Sequence, residues 1–213
     1  MERSALLVDT EHGPARAHVH GSGPRLLVLG HGAGGGVDAP DLQAVTTAVA
    51  GDAWRVVVVE QPYRVAGKRA PAPAANLDRA FVTVVQAVRG AASVLVTGGR
   101  SSGARVACRT AATVGADAVV ALAFPWRPPG READRGDELA MVRCPLLVVQ
   151  GERDPFGTPA DLPSATLPRG SAVHPVAGAD HAFRARRADG RSSADCAEEV
   201  GAVVRDWLQS TLT

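Results

Sequence analysis

One serine in this 213-residue chain stands where its hydroxyl could serve as a nucleophile. The apolar run Ser93–Thr97 leads into Gly98-Gly99-Arg100-Ser101-Ser102-Gly103, and the small-residue stretch ARVACRTAATV follows. Gly99-x-Ser101-x-Gly103 has the spacing of a sharp strand-to-helix elbow. There the central serine is forced into a strained backbone conformation, and the residues two before and two after it must be tiny. The pentapeptide alone is a weak signal, since composition would produce it by accident in roughly one such chain in ten. Its place between an apolar strand and a helix whose Ala104, Ala107, Cys108 and Ala111 permit close approach to a sheet gives it weight. Ser102 fails the spacing, because Arg100 occupies the position of the preceding glycine. An ordinary helix N-cap serine in a glycine turn is the alternative.

A serine hydroxyl is a poor nucleophile until a base takes its proton and a carboxylate orients that base. On an elbow of this kind the partners follow in the order acid, then histidine. Downstream, PLLVVQ ends in Gly151-Glu152-Arg153-Asp154-Pro155-Phe156-Gly157, which puts Asp154 at the carboxyl end of a predicted central strand. Asp before Pro is also a common helix start, with the proline at the first helical position. Glu152 is the fallback acid. After AVHPV comes Gly178-Ala179-Asp180-His181-Ala182-Phe183. His181 lies on a loop past the last predicted strand, and we assign it as the general base. His174 lies inside that strand and is held away from the strand ends, and Asp180 reads as a turn former.

Acyl transfer also requires N–H donors for the developing oxyanion. One is expected from the residue after the nucleophile, Ser102, and the other from the loop that follows an early central strand. That loop, after RLLVL, reads Gly30-His31-Gly32-Ala33-Gly34-Gly35-Gly36, so Ala33 (or Gly34) would offer its N–H, with His31 bracing the loop by hydrogen bonding. Gly30-x-Gly32-x-x-Gly35 is equally a dinucleotide-binding fingerprint, with Glu60 near the position of a ribose-binding acid. His31 in a slot that usually holds a small residue, and a hairpin ahead of the strand, count against that alternative. Gly98 to Gly103 has the glycine spacing of a phosphate-binding P-loop, but Ala104-Arg105 replaces the required lysine and hydroxyl. His18 and His20 share one face of a strand and could in principle bind a metal. Without a third ligand nearby they read as two solvent-facing histidines, and no metal or cofactor is expected.

These groups need a scaffold that gathers strand ends. Predicted strands cover Ser4–Asp9, Ala15–His20, Arg25–Leu29, Trp54–Glu60, Ser93–Thr97, Ala118–Phe124, Pro145–Gln150 and Ala172–Val176. Helical stretches cover Asp41–Ala50, Asn76–Arg89, Ser102–Val114, Asp134–Val142 and Ala194–Leu212. LLVL, VVVV, VLV and LLVV are continuously apolar, as in parallel strands covered on both faces. The alternation predicts an α/β three-layer fold in one domain, residues 1–213, with the first two strands as an antiparallel hairpin on one edge. Apolar residues at 46% and charged residues at 21% exclude wholesale disorder. A net charge of +1 gives no footprint for nucleic acid or an anionic membrane. The short apolar runs contain neither a membrane span nor a signal peptide. Three scattered cysteines fit neither a disulfide framework nor a zinc site, and a cytoplasmic location is expected.

In HGAGGG (His31–Gly36), GGRSSGARVA (Gly98–Ala107), FPWRPPG (Phe124–Gly130), QGERDPFG (Gln150–Gly157) and GADHAF (Gly178–Phe183), the chain resembles a known family. This is the small, lidless α/β-hydrolases grouped with dienelactone-hydrolase-like proteins, specifically the branch with bacterial predicted hydrolases and the testis-expressed and chromatin-complex hydrolase-like proteins. The resemblance implies an α/β-hydrolase fold without a large cap, and Ser101, Asp154 and His181 as a catalytic triad. It also implies an oxyanion hole at Ala33 and Ser102. Pro125–Gly130 and Gln61–Lys68 would wall the pocket, with His31, Tyr63, Arg64, Arg100, Pro125, Trp126 and Phe156 as the wall candidates. Dienelactone hydrolases proper use a cysteine nucleophile, so their substrate does not carry over, and Gly36 replaces the Asp or Asn that often follows HGAGG.

The expected reaction is hydrolysis of a carboxylic ester or thioester on a small-molecule acyl substrate. Arg64, Lys68, Arg100 and Arg127 would surround a shallow pocket with positive charge and favour acidic or short polar acyl groups. A catalytically silent module that binds or scaffolds is the alternative.

Overall fold

The computed structural model describes residues 3–130, 134–162, 167–186 and 190–212. Its strands β1 (Arg3–Val8) and β2 (Ala15–His20) pair as an antiparallel hairpin, and β2 pairs antiparallel with β4 (Trp54–Glu60). All other pairings are parallel, through β3 (Arg25–Gly30), β5 (Val94–Arg100), β6 (Ala118–Leu122), β7 (Leu146–Gly151) and β8 (Ala172–Val176). The order across the sheet is β1-β2-β4-β3-β5-β6-β7-β8.

The continuously apolar strands are buried on both faces. In β3, Leu27 and Leu29 point one way, into a core shared with Leu42 and Val45 of α1 (Pro40–Val49) and Val200 and Val204 of α6 (Ser193–Thr211). Leu26 and Val28 point the other way, against Phe81 and Val84 of α3 (Ala74–Arg89) and Val106 of α4 (Ser102–Val114). This period of two under helices on both sides is what a doubly covered parallel sheet demands. Gly201 of α6 lies so close to α1 that a Cβ there would sit 2.7 Å from the Ala44 carbonyl oxygen. Among the described residues no helix is long and apolar enough to cross a membrane.

The topology decides where chemistry can occur. The chain moves outward from β3 to β4, then returns to place β5 on the other side of β3. A crevice at the carboxyl ends of the strands opens at such a reversal of winding. Gly30, which closes β3, is paired there with Gly99 of the serine elbow, so the glycine-rich loop and the elbow leave the sheet side by side.

Several boundaries differ from expectation. β5 runs on through Arg100, because β6 continues to pair with it: Gly98 with Val120, Gly99 with Ala121, Arg100 with Leu122. β6 itself stops at Leu122, since Ala123 adopts a left-handed φ of 46° that no ladder accommodates. The helix expected over Asp134–Val142 shrinks to α5 (Gly136–Ala140); the Asp134 carboxylate accepts the Gly136 N–H just ahead of it, a turn that competes with helix. A short α2 (Pro62–Val65) and a 3-10 turn, Pro159–Asp161, were not signalled by periodicity. Part of the loop expected over Pro125–Arg135, at 131–133, lies outside the described residues. His18 and His20 are not both solvent-facing: His20 is buried in a cleft of about 320 Å³ that Val37 and Asp38 help to cover, and His18 Nε2 lies 3.4 Å from the Glu60 carboxylate.

Candidate active site

Ser101 joins β5 to α4 in a conformation that side chains avoid, φ 52° and ψ −110°. Its N–H donates to the Leu122 carbonyl at 2.9 Å, which anchors the elbow to β6. The flanking glycines are needed for proximity. A Cβ on Gly99 would lie 2.5 Å from the Gly30 carbonyl oxygen, and one on Gly103 would collide with the same peptide. A non-glycine residue in such a region costs about 1–3 kcal/mol, partly offset by the larger entropy of an unfolded glycine. Ser101→Gly is therefore expected to be about 1 kcal/mol more stable than Ser101→Ala in denaturant unfolding. Equal stabilities would mean the elbow holds no strain.

Two further side chains converge on this hydroxyl. His181 Nε2 lies 3.0 Å from Ser101 Oγ, and His181 Nδ1 lies 2.7 Å from Asp154 Oδ2. A carboxylate can only accept, so Nδ1 carries the proton and Nε2 is the acceptor for the serine O–H. The Asp154 side chain is wholly buried, and its other oxygen accepts the Phe156 N–H at 2.8 Å, closing a turn that the Asp-Pro-Phe sequence favours. No helix begins at Pro155, so the helix-start alternative for Asp154 does not hold. Glu152 turns aside to accept the Gly178 N–H, and His174 is bound to Glu199 on α6 at 2.8 Å. Asp180 accepts the N–H groups of Ala182 and Arg184, shaping the loop that carries His181.

No motif spacing points to Gln150, yet its buried amide reaches the same carboxylate. Nε2 is 2.8 Å from Asp154 Oδ2, 2.7 Å from the Gly157 carbonyl and 3.2 Å from that of Phe124. The one signal in the sequence is a lone amide closing an otherwise apolar strand, PLLVVQ.

On the other side of Ser101, two hydrogen-bonded clamps shape the glycine-rich loop. The Gln61 N–H donates to His31 Nε2 at 3.1 Å, so His31 is neutral with its proton on Nδ1, which donates to the Gly32 carbonyl at 2.8 Å. In a trans peptide the C=O and the following N–H point in opposite directions, so holding the Gly32 oxygen also aims the Ala33 N–H. Tyr63 Oη donates to the Ala33 carbonyl at 2.9 Å, fixing the next peptide. Ser102 is the first residue of α4, where an N–H has no partner within the helix. The loop does not open a helix in the manner of a dinucleotide fingerprint: α1 begins at Pro40, beyond Gly36, rather than at the third glycine.

Burial lowers the pKa of His31 below its ordinary 6.5, reinforced by Arg64 and opposed by the Gly32 carbonyl, Glu60 and Asp38. The unfolded chain therefore takes up this proton at higher pH than the folded one. Stability is full above about pH 6.5 and falls as pH drops through that value toward the lower folded pKa. Denaturant midpoints at about pH 7.5 and about pH 5.5 should show a smaller acid-side loss for His31→Gln than for the parent. An identical loss in both would assign it to other groups.

Of the four cations expected around the pocket, Arg100 has a buried carboxylate for a neighbour. Arg100 is half-buried, 3.0 Å from buried Asp41 in an electrostatic contact off the hydrogen-bond line, and it donates to the His181 carbonyl at 3.0 Å. Its charge is thus spent on tying the histidine loop to α1, because the residue before the elbow points under that loop. Arg127 faces Asp134 at 3.8 Å, and the Arg64 guanidinium reaches the Lys68 carbonyl at 3.5 Å. Of the wall candidates, Phe156 packs against the base, its ring centroid 4.4 Å from that of His181. His31 and Tyr63 support the loop from behind. Pro125 and Trp126 are buried, and Trp126 lines a hollow of about 250 Å³ behind the Asp154 turn.

No curated protein matches the sequence. A lidless α/β serine hydrolase from Xanthomonas campestris superposes with a TM-score of 0.73 at 23% identity, covering 97% of this chain and 95% of that one. Est1E from Butyrivibrio proteoclasticus, solved with ferulic acid bound, gives 0.77 at 13% identity over 98% and 99%. A dienelactone hydrolase from Anabaena variabilis gives 0.70 at 15% identity over 99% and 98%. At these identities the likeness speaks for the fold. The sequence model of the alpha/beta hydrolase domain matches residues 23–209, and it is to this family, with its α/β-hydrolase fold, that the chain belongs.

Proposed function

We propose that residues 1–213 work as a single serine hydrolase domain that cleaves a carboxylic ester or thioester. The observation that carries this reading is the unbroken line from Ser101 Oγ through the His181 imidazole to buried Asp154, at 3.0 and 2.7 Å. Ser101 attacks the acyl carbonyl while His181 Nε2 takes its proton, and the positive imidazolium is stabilised by the Asp154 carboxylate. Charge on the carbonyl oxygen is met by the N–H groups of Ser102 and Ala33. His181 returns the proton to the departing alcohol or thiol, leaving an acyl-serine. Water, activated by the same imidazole, then releases the acid. No step calls on a metal or a cofactor.

With no cap between the site and solvent, the acyl group lies along surface loops under Phe156, and small acyl groups suit that better than long lipids. The test is covalent labelling by a fluorophosphonate probe at Ser101, followed by a panel of activated esters and thioesters of graded acyl length. The panel includes a hydroxycinnamate ester, because the similar Est1E structure contains ferulic acid. Labelling with turnover of some panel member is expected. Folded protein that neither labels nor turns over any of them would favour the binding-module alternative.

A further inference from the structure

We propose that Gln150 is a positioning residue, whose buried amide holds the Asp154 carboxylate in the orientation that meets His181; this rests on the hydrolase reading above. Gln150 is the penultimate residue of β7 and fully buried. Its nitrogen faces three acceptors from two segments: the Phe124 carbonyl past the end of β6, and Asp154 Oδ2 and the Gly157 carbonyl on the turn after β7. Because all three are acceptors, the amide has one permitted orientation; turned over, Oε1 would confront three oxygens. That orientation leaves Oε1 buried without a hydrogen bond. A polar group kept in a dry strand end with half its capacity unused calls for an explanation, and what its nitrogen holds supplies one.

The carboxylate needs that help. Asp154 is wholly buried, and among the described residues no Arg or Lys pairs with it. Its charge is met by N–H donors: Phe156 on Oδ1, with Gln150 and His181 together on Oδ2. Gln150 is thus the one side chain besides the base itself that donates to the acid among the described residues. It fixes which oxygen turns toward the imidazole and lightens the demand on the His181 Nδ1–H. Through the Gly157 carbonyl the same amide closes the turn that carries Phe156 over the His181 ring.

The experiment compares parent, Gln150→Met and Gln150→Glu. Methionine keeps the length and fills the space without a donor; glutamate keeps the shape but offers at most one proton to three acceptors. Three quantities are read: kcat and KM on the best ester of the panel, the thermal midpoint, and the far-downfield proton resonance of the His181 Nδ1–H. Both variants should lose about tenfold to a hundredfold in kcat with KM within about twofold, and the downfield resonance should move or vanish. A merely structural amide would lower the midpoint and leave kcat and the resonance of the folded protein unchanged. A folded Gln150→Met with kcat within about twofold and the parent resonance overturns the proposal. Should that variant fail to fold, parent-like kcat and resonance in Gln150→Glu overturn it equally. The resonance is read without turnover, so a protein inactive on every substrate would sink the hydrolase reading while this arm still judged Gln150.

Discussion

Ser101→Ala should lose about 10⁶ in kcat and all fluorophosphonate labelling, and His181→Ala should lose nearly as much. The expectation follows from how the two side chains depend on each other. The serine oxygen needs a base at 3.0 Å to take its proton as it attacks, and the imidazole has no chemistry to perform without that oxygen. Removing either one removes the covalent route, so the double variant should be little worse than either single one. What survives in all three is the contribution of N–H donors and of substrate binding, roughly 10³-fold over water. Single-turnover and steady-state rates on the best panel ester check this. Additive losses in the double variant would show that the two residues act on separate steps, and a Ser101→Ala enzyme with parent kcat would refute the mechanism.

Asp154→Asn should cost about 10⁴ in kcat while leaving the fold intact. Asp154 is surrounded by donors only: Phe156 N–H at one oxygen, Gln150 Nε2–H and His181 Nδ1–H at the other. An asparagine must set its NH₂ against one of these. Facing Phe156 it meets a backbone N–H that cannot move away. Facing His181 it forces the imidazole proton onto Nε2, where it confronts the serine O–H and abolishes the base. The second arrangement is an inactive tautomer rather than a weaker base, and it explains a loss much larger than that of one ordinary hydrogen bond. KM close to the parent value, with kcat down and thermal stability lowered only modestly, is the pattern expected. A loss below about tenfold would mean the carboxylate does no more than shape the loop.

Much of this arrangement is legible in the residue pattern. The elbow signals itself locally, because a strained turn between strand and helix tolerates only tiny neighbours, and Gly99 and Gly103 are visible as such. The parallel sheet is legible because strands covered on both faces cannot alternate in polarity, and the hairpin because the turn residues Glu11-His12-Gly13-Pro14 separate its two short strands. Less local features are harder. The extra length of β5 depends on β6 lying beside it, and the early end of β6 on one left-handed alanine. Arg100 reads as a cation for substrate because nothing near it in sequence is acidic; its partner, Asp41, is 59 positions away, on a helix that only the fold brings under the elbow.

The residue types and their spacing determined by themselves the layer architecture, the nucleophile candidate and the order of its partners along the chain, since each rests on interactions between near neighbours. The tertiary structure alone decided that Ser101, His181 and Asp154 lie within hydrogen-bond reach, that Tyr63 joins His31, the brace expected from the sequence, in holding the glycine-rich loop, and that the Gln150 amide reaches the acid. Most of those contacts join residues tens of positions apart, while Gln150 and Asp154, only four apart, meet through the turn that follows β7; the geometry is set by sheet order, by the reversal between β3 and β5, and by which groups remain dry once the helices close over both faces. A pattern in one dimension carries no distance between strand ends; packing supplies it.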